Sequence, residues 1–244
     1  FFISCGLFHP HYPWYVPQKY LDMYPLDEIK LPPIKADDLD DIPDYGRRLV
    51  NLGWDEKVKD KGLVKEAIRG YLASVTFSDA HMGRVLKALD NSPHRDNTIV
   101  ILISDHGFHL GEKQNWTKAT LWEEATDSVM MWRVPGVTQP GRICTRPVSL
   151  LNIYPTLVDL TGIDKPNHLD GYSLLPLLKD VQAPRSQPAI TVYDGHMSVR
   201  TETARFIRYW DGTTELYDST SDPHEWTNQT NNPHFAALKT KLAG

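Results

Sequence analysis

The sequence has few cysteines, no cluster of basic residues and no long apolar run. Its two cysteines, Cys5 and Cys144, are too few for a disulfide framework. We expect two buried free thiols, with a disulfide between them as the alternative. A net charge of -5 without a Lys/Arg-rich block gives no reason to expect a nucleic-acid partner. No stretch approaches the roughly 18 apolar residues of a membrane-spanning helix, so none is predicted.

The chain also lacks an initiator Met and a recognisable signal peptide. It starts FFISCGLFHPHYPWYVP, a short apolar stretch that is not preceded by basic residues and is soon broken by prolines. We expect residues 1–7 to form a core strand whose preceding sequence is missing. The chain is therefore predicted to be the C-terminal part of a longer protein. Its 244 residues suffice for one core, or for one core and a small satellite domain.

Hydrophobic periodicity predicts a helix followed by a buried strand. Residues 64–91 carry apolar side chains on one helical stripe: Ile68, Leu72, Val75, Met82, Leu86 and Leu89. Asp79 falls on that stripe, so we expect it to find a hydrogen-bond partner there. Residues 98–103, TIVILI, are typical of a strand that is covered on both faces in a parallel sheet. A helix followed by such a strand is half of an α/β unit.

The segments around this unit are predicted from similar patterns. Residues 17–25 fit a short helical turn, and residues 25–62 a long surface loop with a solvated acidic run at Asp37, Asp38, Asp40 and Asp41. A second strand is predicted over 129–136 and a helix over 148–163. Beyond a linker at 180–188, alternating residues and DG turns predict an antiparallel sheet, and a terminal helix ends the chain.

The polar residues after the TIVILI strand are the first candidates for chemistry. Asp105 and His106 follow it directly, and ligands of parallel α/β sheets bind beyond the carboxyl ends of the strands. An Asp and a neighbouring His can ligate one metal ion, while Gly107 allows a tight backbone turn. The alternative is that Asp105 caps a turn and His106 is a surface residue.

Several blocks of the sequence carry a family resemblance. They are SDHGFHLGEKQNWTKATLWEEAT, VSLLNIYPTLVDLTGI, DGYSLLPLL, GLFHPHYPWYVPQKYLDMYP, YLASVTFSDAHMGRVLKAL and SVRTETARFIRYWDGTTELYDSTSDPHEWTN. In this order they resemble the second half of a type I sulfatase of the alkaline phosphatase superfamily, closest to iduronate-2-sulfatase-like enzymes and their bacterial relatives. The resemblance covers nearly the whole chain but is much less specific for the substrate. It implies an α/β fold, with part of an alkaline-phosphatase-like catalytic domain over 1–180 and a small antiparallel-sheet subdomain over 188–244.

The resemblance also implies roles for single residues. Asp105 and His106 match the family's late metal ligands, and the family's metal is usually calcium, although His is a ligand better suited to zinc or manganese. Lys118 matches the lysine that contacts a sulfate oxygen, where a cation neutralises charge. His11 matches the histidine that contacts the ester and protonates the leaving oxygen. His9 stands where relatives carry Lys or Arg, and a role in substrate binding is a hypothesis.

Part of the family's active site has no counterpart in this sequence. The nucleophile is a formylglycine made from Cys or Ser in a C/S-x-P-x-R motif, and neither Cys5 nor Cys144 lies in one. The early Asp pair of the metal site is also absent. The chain is therefore expected to carry half of the metal and sulfate site, and formylglycine is expected in a missing N-terminal part.

Residues of the C-terminal region extend the candidate list. His196 and Arg200 in GHMSVRT are candidates for reading acidic groups of the substrate, because Arg suits carboxylate and sulfate. The alternative is a surface turn with a structural Arg. NWT at 115–117 and NQT at 228–230 fit the glycosylation pattern, but sugar is not expected at Asn115, close to the predicted site.

These residues lead to one preferred function and two alternatives. The preferred function is a sulfuric ester hydrolase fragment that acts on a sulfated glycan or small sulfate ester, with the missing N-terminal portion as its partner. We expect Asp105, His106, His11 and Lys118 to converge on one pocket. The alternatives are a phosphodiesterase or phosphonate hydrolase of the same superfamily and a non-catalytic, truncated binding module. The resemblance implies a periplasmic, extracellular or lysosomal location, which no residue pattern here encodes.

Overall fold

The computed structural model of the chain describes residues 1–50 and 52–244. They form two compact units, which are described separately. The first unit is residues 1–34, 51–98 and 110–116, and the second is residues 35–50, 99–109 and 117–244. These units are drawn differently from the predicted domains, 1–180 and 188–244, which stay a prediction. Within the described residues, no helix combines the length and apolar character needed to cross a membrane.

Helices and strands alternate irregularly along the chain. The α-helices are α1 (Gln18–Leu21), α2 (Asp44–Leu49), α3 (Leu52–Asp60), α4 (Val64–Asp90), α5 (Glu123–Thr126), α6 (Ile153–Thr161), α7 (Leu175–Lys179) and α8 (Ala236–Ala243). The strands are β1 (Val100–Ile103), β2 (Met130–Arg133), β3 (Ala189–Tyr193), β4 (His196–Arg200), β5 (Ala204–Arg208) and β6 (Thr214–Asp218). Short 3-10 helices lie at Arg95–Asn97, Glu112–Gln114, Leu150–Asn152 and Pro233–Phe235.

Helix α4 organises the first unit, and its predicted extent is confirmed. Ile68 on its first half packs with Ile29 and Trp116 in a buried apolar cluster. Two side-chain bonds attach the preceding segment: Tyr24 Oη lies 2.5 Å from Thr76 Oγ1, and Arg69 Nε donates to the Leu21 carbonyl over 3.1 Å. The second half of the predicted stripe is only partly covered, since Val75 and Leu86 are exposed, and Asp79 is exposed too, so the expectation that Asp79 lies in an apolar seam is wrong.

The first residues do not form the predicted core strand. Phe1 and Phe2 are 78% and 87% exposed, and residues 1–7 have no regular secondary structure. A strand needs a neighbour for its backbone N–H and C=O groups, and none of the described strands pairs with this segment. Cys5 is exposed and Cys144 is half-buried. Both thiols are free, as predicted, but neither is buried.

The second unit contains both sheets. Strand β1 pairs antiparallel with β2, with Ile101 opposite Trp132, so the predicted parallel neighbour is wrong for the part of the chain that the structure describes. Ile103 is 47% exposed, so the strand is also not covered along its whole length. An apolar run indicates burial but does not specify the direction of the neighbouring strand. The four-stranded sheet β3-β4-β5-β6 is an antiparallel meander, as predicted.

The predicted surface loop over 25–62 is partly helical, because it contains α2 and α3. Its acidic run is also not wholly solvated. Asp38 is buried, and the carboxylate of Asp41 accepts a hydrogen bond of 2.8 Å from the backbone N–H of Asn228. The run therefore has a structural role in the second unit, where it meets the segment after β6.

A carboxylate lies inside the core of the second unit. Glu215 is fully buried and accepts hydrogen bonds from Trp122 Nε1 at 2.7 Å, from Tyr209 Oη at 2.5 Å and from Tyr217 Oη at 2.6 Å. Burial and the Glu215 charge raise the pKa of both tyrosines, which therefore remain donors. Gly46 packs against this cluster, and a larger residue would not fit there, because a Cβ at Gly46 would lie 2.5 Å from Tyr209 Oη.

The first prediction concerns this carboxylate. Glu215→Leu is expected to lower the free energy of unfolding by about 3–5 kcal/mol, because three buried donors lose their acceptor. Urea denaturation followed by circular dichroism measures the change. Glu66→Leu, the same substitution at an exposed helical position, serves as the control and is expected to stay within about 0.5 kcal/mol of the parent. Equal losses in the two variants would contradict the role of Glu215.

Candidate active site

The loop after β1 presents Asp105 and His106 side by side. The side chain of Asp105 is 86% exposed, and its Oδ2 lies 3.5 Å from His106 Nε2. His106 Nδ1 lies 2.7 Å from the Gly107 carbonyl, and the Ser104 hydroxyl donates to the His106 carbonyl over 2.7 Å. The backbone bond of Nδ1 orients the ring, so Nε2 is the nitrogen that faces the carboxylate.

These two side chains do not make a complete calcium site. Calcium takes about six to eight oxygen ligands, and His supplies nitrogen. Across residues 1–50 and 52–244, no group of three or more His, Cys, Asp or Glu side chains is placed to hold a metal ion. The donor set in the described residues therefore does not fit calcium by itself.

The segment that carries Lys118 runs against this loop. The His109 backbone N–H donates to the Thr117 carbonyl over 3.0 Å, and His109 Nε2 lies 2.7 Å from Thr120 Oγ1. The Gly107 N–H donates to the Ala125 carbonyl over 2.9 Å. Lys118 is half-buried, and its neighbour Ala119 has a φ of 72°, in the left-handed region that costs a non-glycine residue about 1–2 kcal/mol.

Gly107 is needed for a close approach. A Cβ at this position would lie 2.0 Å from the Glu124 carbonyl oxygen and 2.6 Å from that of Asp127. Real side chains do not tolerate such distances, so only glycine allows the loop to pack against α5 and the residue that follows it. The sequence identified Gly107 through its turning ability, whereas its contacts show a steric reason.

Side chains of the C-terminal sheet and of the turn after β6 bind the residues that follow Lys118. Arg205 Nη1 donates to the Leu121 carbonyl over 3.1 Å, and Glu225 Oε2 accepts from the Glu123 N–H at 2.9 Å. The Glu123 carboxylate accepts from Arg200 Nε at 3.1 Å and from Arg205 Nη2. Arg205 Nε also donates to Glu225 Oε1 over 2.5 Å, and this pair is almost fully buried.

The charges of this network set the titration of nearby acids. Burial alone would raise the pKa of Glu123, but Arg205 and Arg200 outweigh burial and hold it below its usual value. Burial and the charge of Glu123 raise the pKa of Asp127, and the two arginines only partly offset them. Of the two acids Glu123 and Asp127, Glu123 is thus the one that is stabilised as an anion.

His196 and Arg200 have partners within the fold. His196 is 3% exposed, its Nδ1 accepts the Trp210 N–H at 3.0 Å, and its ring packs edge-on against Tyr45 and Tyr209. Arg200 pairs with Glu123. These contacts favour the structural alternative for both residues, and their role in substrate binding stays a prediction.

His9 and His11 belong to the first unit. His11 Nδ1 lies 2.6 Å from the Tyr12 carbonyl, and His9 Nδ1 lies 3.4 Å from the His11 carbonyl. The Ser78 hydroxyl of α4 donates to the His9 carbonyl over 2.7 Å, and the His9 ring packs edge-on against Phe77. The opening loop is therefore attached to α4, while Asp105, His106 and Lys118 lie in the second unit.

Both glycosylation motifs have asparagines that the fold uses. Asn115 is fully buried, and Asn228 donates its side-chain amide to the Asp41 carbonyl over 3.1 Å. Attachment of a sugar at either nitrogen would therefore disturb the packing around it.

Comparison with protein families identifies the chain. The model described as "Sulfatase" matches residues 1–163, and the model described as "N-sulphoglucosamine sulphohydrolase, C-terminal" matches residues 111–244. The chain belongs to the sulfatase family. A protein named "Sulfatase" from Formosa agariphila is 42% identical over 99% of this chain and 49% of its own length. This sulfatase-family chain spans about half the length of the curated relatives it matches.

Solved structures share the α/β fold of this sulfatase-family chain. A phosphonate monoester hydrolase from Silicibacter pomeroyi has a TM-score of 0.82 at 24% identity, covering 96% of this chain and 52% of that one. A protein in complex with its substrate D-glucosamine-2-N,6-O-disulfate has a TM-score of 0.75 at 21% identity, covering 96% of this chain and 62% of that one. Because these identities are low, they show the fold alone.

The second prediction tests the packing of the loop. Gly107→Ala is expected to lower the melting temperature by several degrees, because the methyl group must displace the backbone of residues 124–127. Gly83→Ala is the matched control, since a Cβ at Gly83 in α4 meets no atom within 4 Å. In a helix interior that change is expected to be neutral or stabilising. Calorimetry of the two variants and the parent compares them, and an unchanged melting temperature for Gly107→Ala would refute the steric explanation.

The third prediction concerns Glu123 and pH. Because its folded pKa lies below the unfolded value of about 4.3, its ionisation stabilises the fold above that pH, and this contribution is lost as the pH falls through the folded pKa. Glu123→Gln is expected to reduce the free energy of unfolding at pH 7 and to reduce it less at pH 3. Urea titrations at both pH values measure the difference. A constant difference between the parent and Glu123→Gln would show that the charge is not stabilising.

Proposed function

We propose that this chain is part of a sulfuric ester hydrolase that acts on sulfated carbohydrate. The observation that supports it most directly is the bonding of the Asp105–His106 loop to the segment that carries Lys118. Asp105, His106 and Lys118, which match the family's metal and sulfate positions, therefore lie on two backbone segments that are hydrogen-bonded to each other. This is the arrangement that a preorganised oxyanion-stabilising site requires.

The proposed roles follow from the chemistry of each side chain. The Lys118 ammonium contacts a sulfate oxygen and neutralises negative charge on the transferring group. His11 donates a proton to the leaving alcohol oxygen. His9, His196 and Arg200 are proposed to contact acidic groups of the substrate. His196 and Arg200 have structural contacts within the fold, so His9 is favoured among the three.

The cofactors are part of the proposal. Asp105 and His106 would contribute two donors to a divalent cation, which in the family is calcium and supplies Lewis acidity. The nucleophile of the family is formylglycine, and its motif does not occur in these 244 residues. We propose that another part of the polypeptide provides both the formylglycine and the remaining metal ligands.

A sulfated glycan is the proposed substrate, in a periplasmic, extracellular or lysosomal compartment. A protein with the same fold has been solved with a disulfated glucosamine as its substrate, which supports a sulfated sugar as the substrate class. At 21% identity this likeness does not specify which sugar. Phosphonate monoester hydrolysis is the second candidate, and it is supported by the TM-score of 0.82. Sequence favours the sulfate ester, because the relative at 42% identity is named a sulfatase.

The fourth prediction tests Lys118. In the complete polypeptide, Lys118→Ala is expected to lower the turnover of an aryl sulfate by about a hundredfold or more, which is the scale of losing one transition-state contact. Steady-state kinetics measures kcat and KM for both proteins. Lys87→Ala, at an exposed position of α4, is the control and is expected to retain the parent's kcat.

Substrate choice decides between the candidate functions. Turnover of an aryl sulfate well above that of an aryl phosphonate monoester supports the sulfatase, and the reverse order supports the phosphonate hydrolase. A folded polypeptide that turns over neither ester but retains glycan binding would favour the non-catalytic module. Unchanged aryl sulfate turnover in Lys118→Ala would remove Lys118 from the active site.

A further inference from the structure

We propose that a cavity around Arg185 binds an oxyanion carried on a sugar ring, either a sulfate ester or a carboxylate. The cavity has a volume of about 270 Å³ and lies in the second unit, between α7 and the segment that precedes β3. None of the candidate active-site residues lines it. The oxyanion part of the proposal is independent of the proposed function, whereas the choice of a sugar rests on it.

Arg185 is a cation without an acidic partner. No carboxylate of the described residues forms an ion pair with it, and its one hydrogen bond runs from Nη2 to the neutral Asn152 Oδ1 at 3.2 Å. Its Nε is buried and has no hydrogen-bond partner in the described part of the chain. An arginine carries five N–H donors, so most of its donor capacity is unused.

The environment of Arg185 makes this charge costly. Burial lowers its pKa, and the groups that counteract burial are Cys144 and Tyr172. Neither of these residues is a carboxylate, so no acidic side chain is among the groups that counteract burial. The guanidinium is half-buried and has no anionic partner among the described residues, and a bound oxyanion would supply one. The fork of N–H groups matches sulfate and carboxylate geometry.

One hydrogen bond orients the guanidinium before any ligand binds. Asn152, which accepts from Arg185, also accepts from the Ser149 N–H at 2.7 Å and donates to the Tyr172 carbonyl over 2.8 Å. Such a fixed amide orients the arginine and reduces the entropy that is lost on binding. The same amide donates to the backbone carbonyl of Tyr172, so the residues that carry the cation and the aromatic ring are bonded to one side chain.

The remaining lining suits a sugar. The Tyr172 ring is largely exposed, and Pro176 and Pro184 add apolar surface beside it. Gln187 contributes an amide, which can donate to and accept from hydroxyl groups. A cation, an aromatic face and an amide within one cavity fit a hexose that bears one negative group better than they fit a bare ion or an apolar ligand.

The fifth prediction tests this cavity by calorimetric titration of the complete polypeptide at constant ionic strength. The probes are sodium sulfate, glucose 6-sulfate, glucuronate and neutral glucose. The first three are expected to saturate and glucose is not. Arg185→Gln is expected to weaken oxyanion binding about tenfold or more, because a charge-assisted contact is lost. Arg142→Gln, at an exposed arginine, is the matched control and is expected to bind as the parent does.

Two further variants separate the contributions. Arg185→Lys keeps the charge without the fork, so intermediate affinity is expected, and it replaces Arg185→Gln if that variant fails to fold. Tyr172→Ala is expected to weaken glucose 6-sulfate but not sodium sulfate, because only the sugar contacts the ring. Lys118→Ala removes the candidate active-site cation and is expected to leave the Arg185-dependent binding in place.

The outcomes are distinct from those of the turnover assay. Failure of sulfate to saturate, or equal affinity in the parent and in Arg185→Gln, would overturn the proposal. Loss of all sulfate binding in Lys118→Ala would do the same, by assigning the bound anion to the candidate active site. Saturable, Arg185-dependent binding in a polypeptide that hydrolyses no ester would support the cavity while refuting the proposed function.

Discussion

Two buried carboxylates determine where the segment after Lys118 lies. Glu215 takes the indole N–H of Trp122, and Glu225 takes the backbone N–H of Glu123 together with the guanidinium of Arg205. A buried carboxylate that loses its donors pays the full cost of desolvation, so these bonds are hard to break one at a time. The position of the segment therefore depends on bonds to buried residues of the C-terminal sheet and of the turn that follows it.

This constraint gives the C-terminal sheet a role in the candidate site. Arg205 on β5 binds the Leu121 carbonyl and the Glu123 side chain at once, and β6 contributes Glu215. The residues that follow Lys118 thus form part of the packing of the meander. A substitution at a buried position of the sheet would therefore change the position of the Lys118 segment through these bonds, even if the substituted residue contacts no substrate.

Local patterns predicted the long helix and the C-terminal strands, but they missed α2 and α3 and did not predict non-local pairing. The 3.6-residue period placed α4, and alternation with DG turns placed the meander from β3 to β6. The strand predicted over residues 1–7 was wrong, because an apolar stretch does not show whether a partner strand is present. The same limit applies to β1, whose direction of pairing depends on residues far away in the sequence.

In the candidate site, the family resemblance supplied the candidate residues, whereas Arg205 and Glu225 were missed. A charged residue in an alternating strand is expected on the solvent face, so the burial of Arg205 could not be predicted, and Glu225 lies outside the strands.

The left-handed Ala119 follows from how its neighbours are held. On one side the Thr117 carbonyl bonds to His109, and on the other Thr120 bonds to the His109 ring, before the Leu121 carbonyl meets Arg205. With both flanks fixed, the chain has only Lys118 and Ala119 in which to turn, and Ala119 takes the unfavourable φ. Strain of this kind persists where surrounding bonds over-determine the backbone. The path of the backbone at Lys118 is therefore a consequence of the buried network, and the position of its amine depends on those bonds remaining intact.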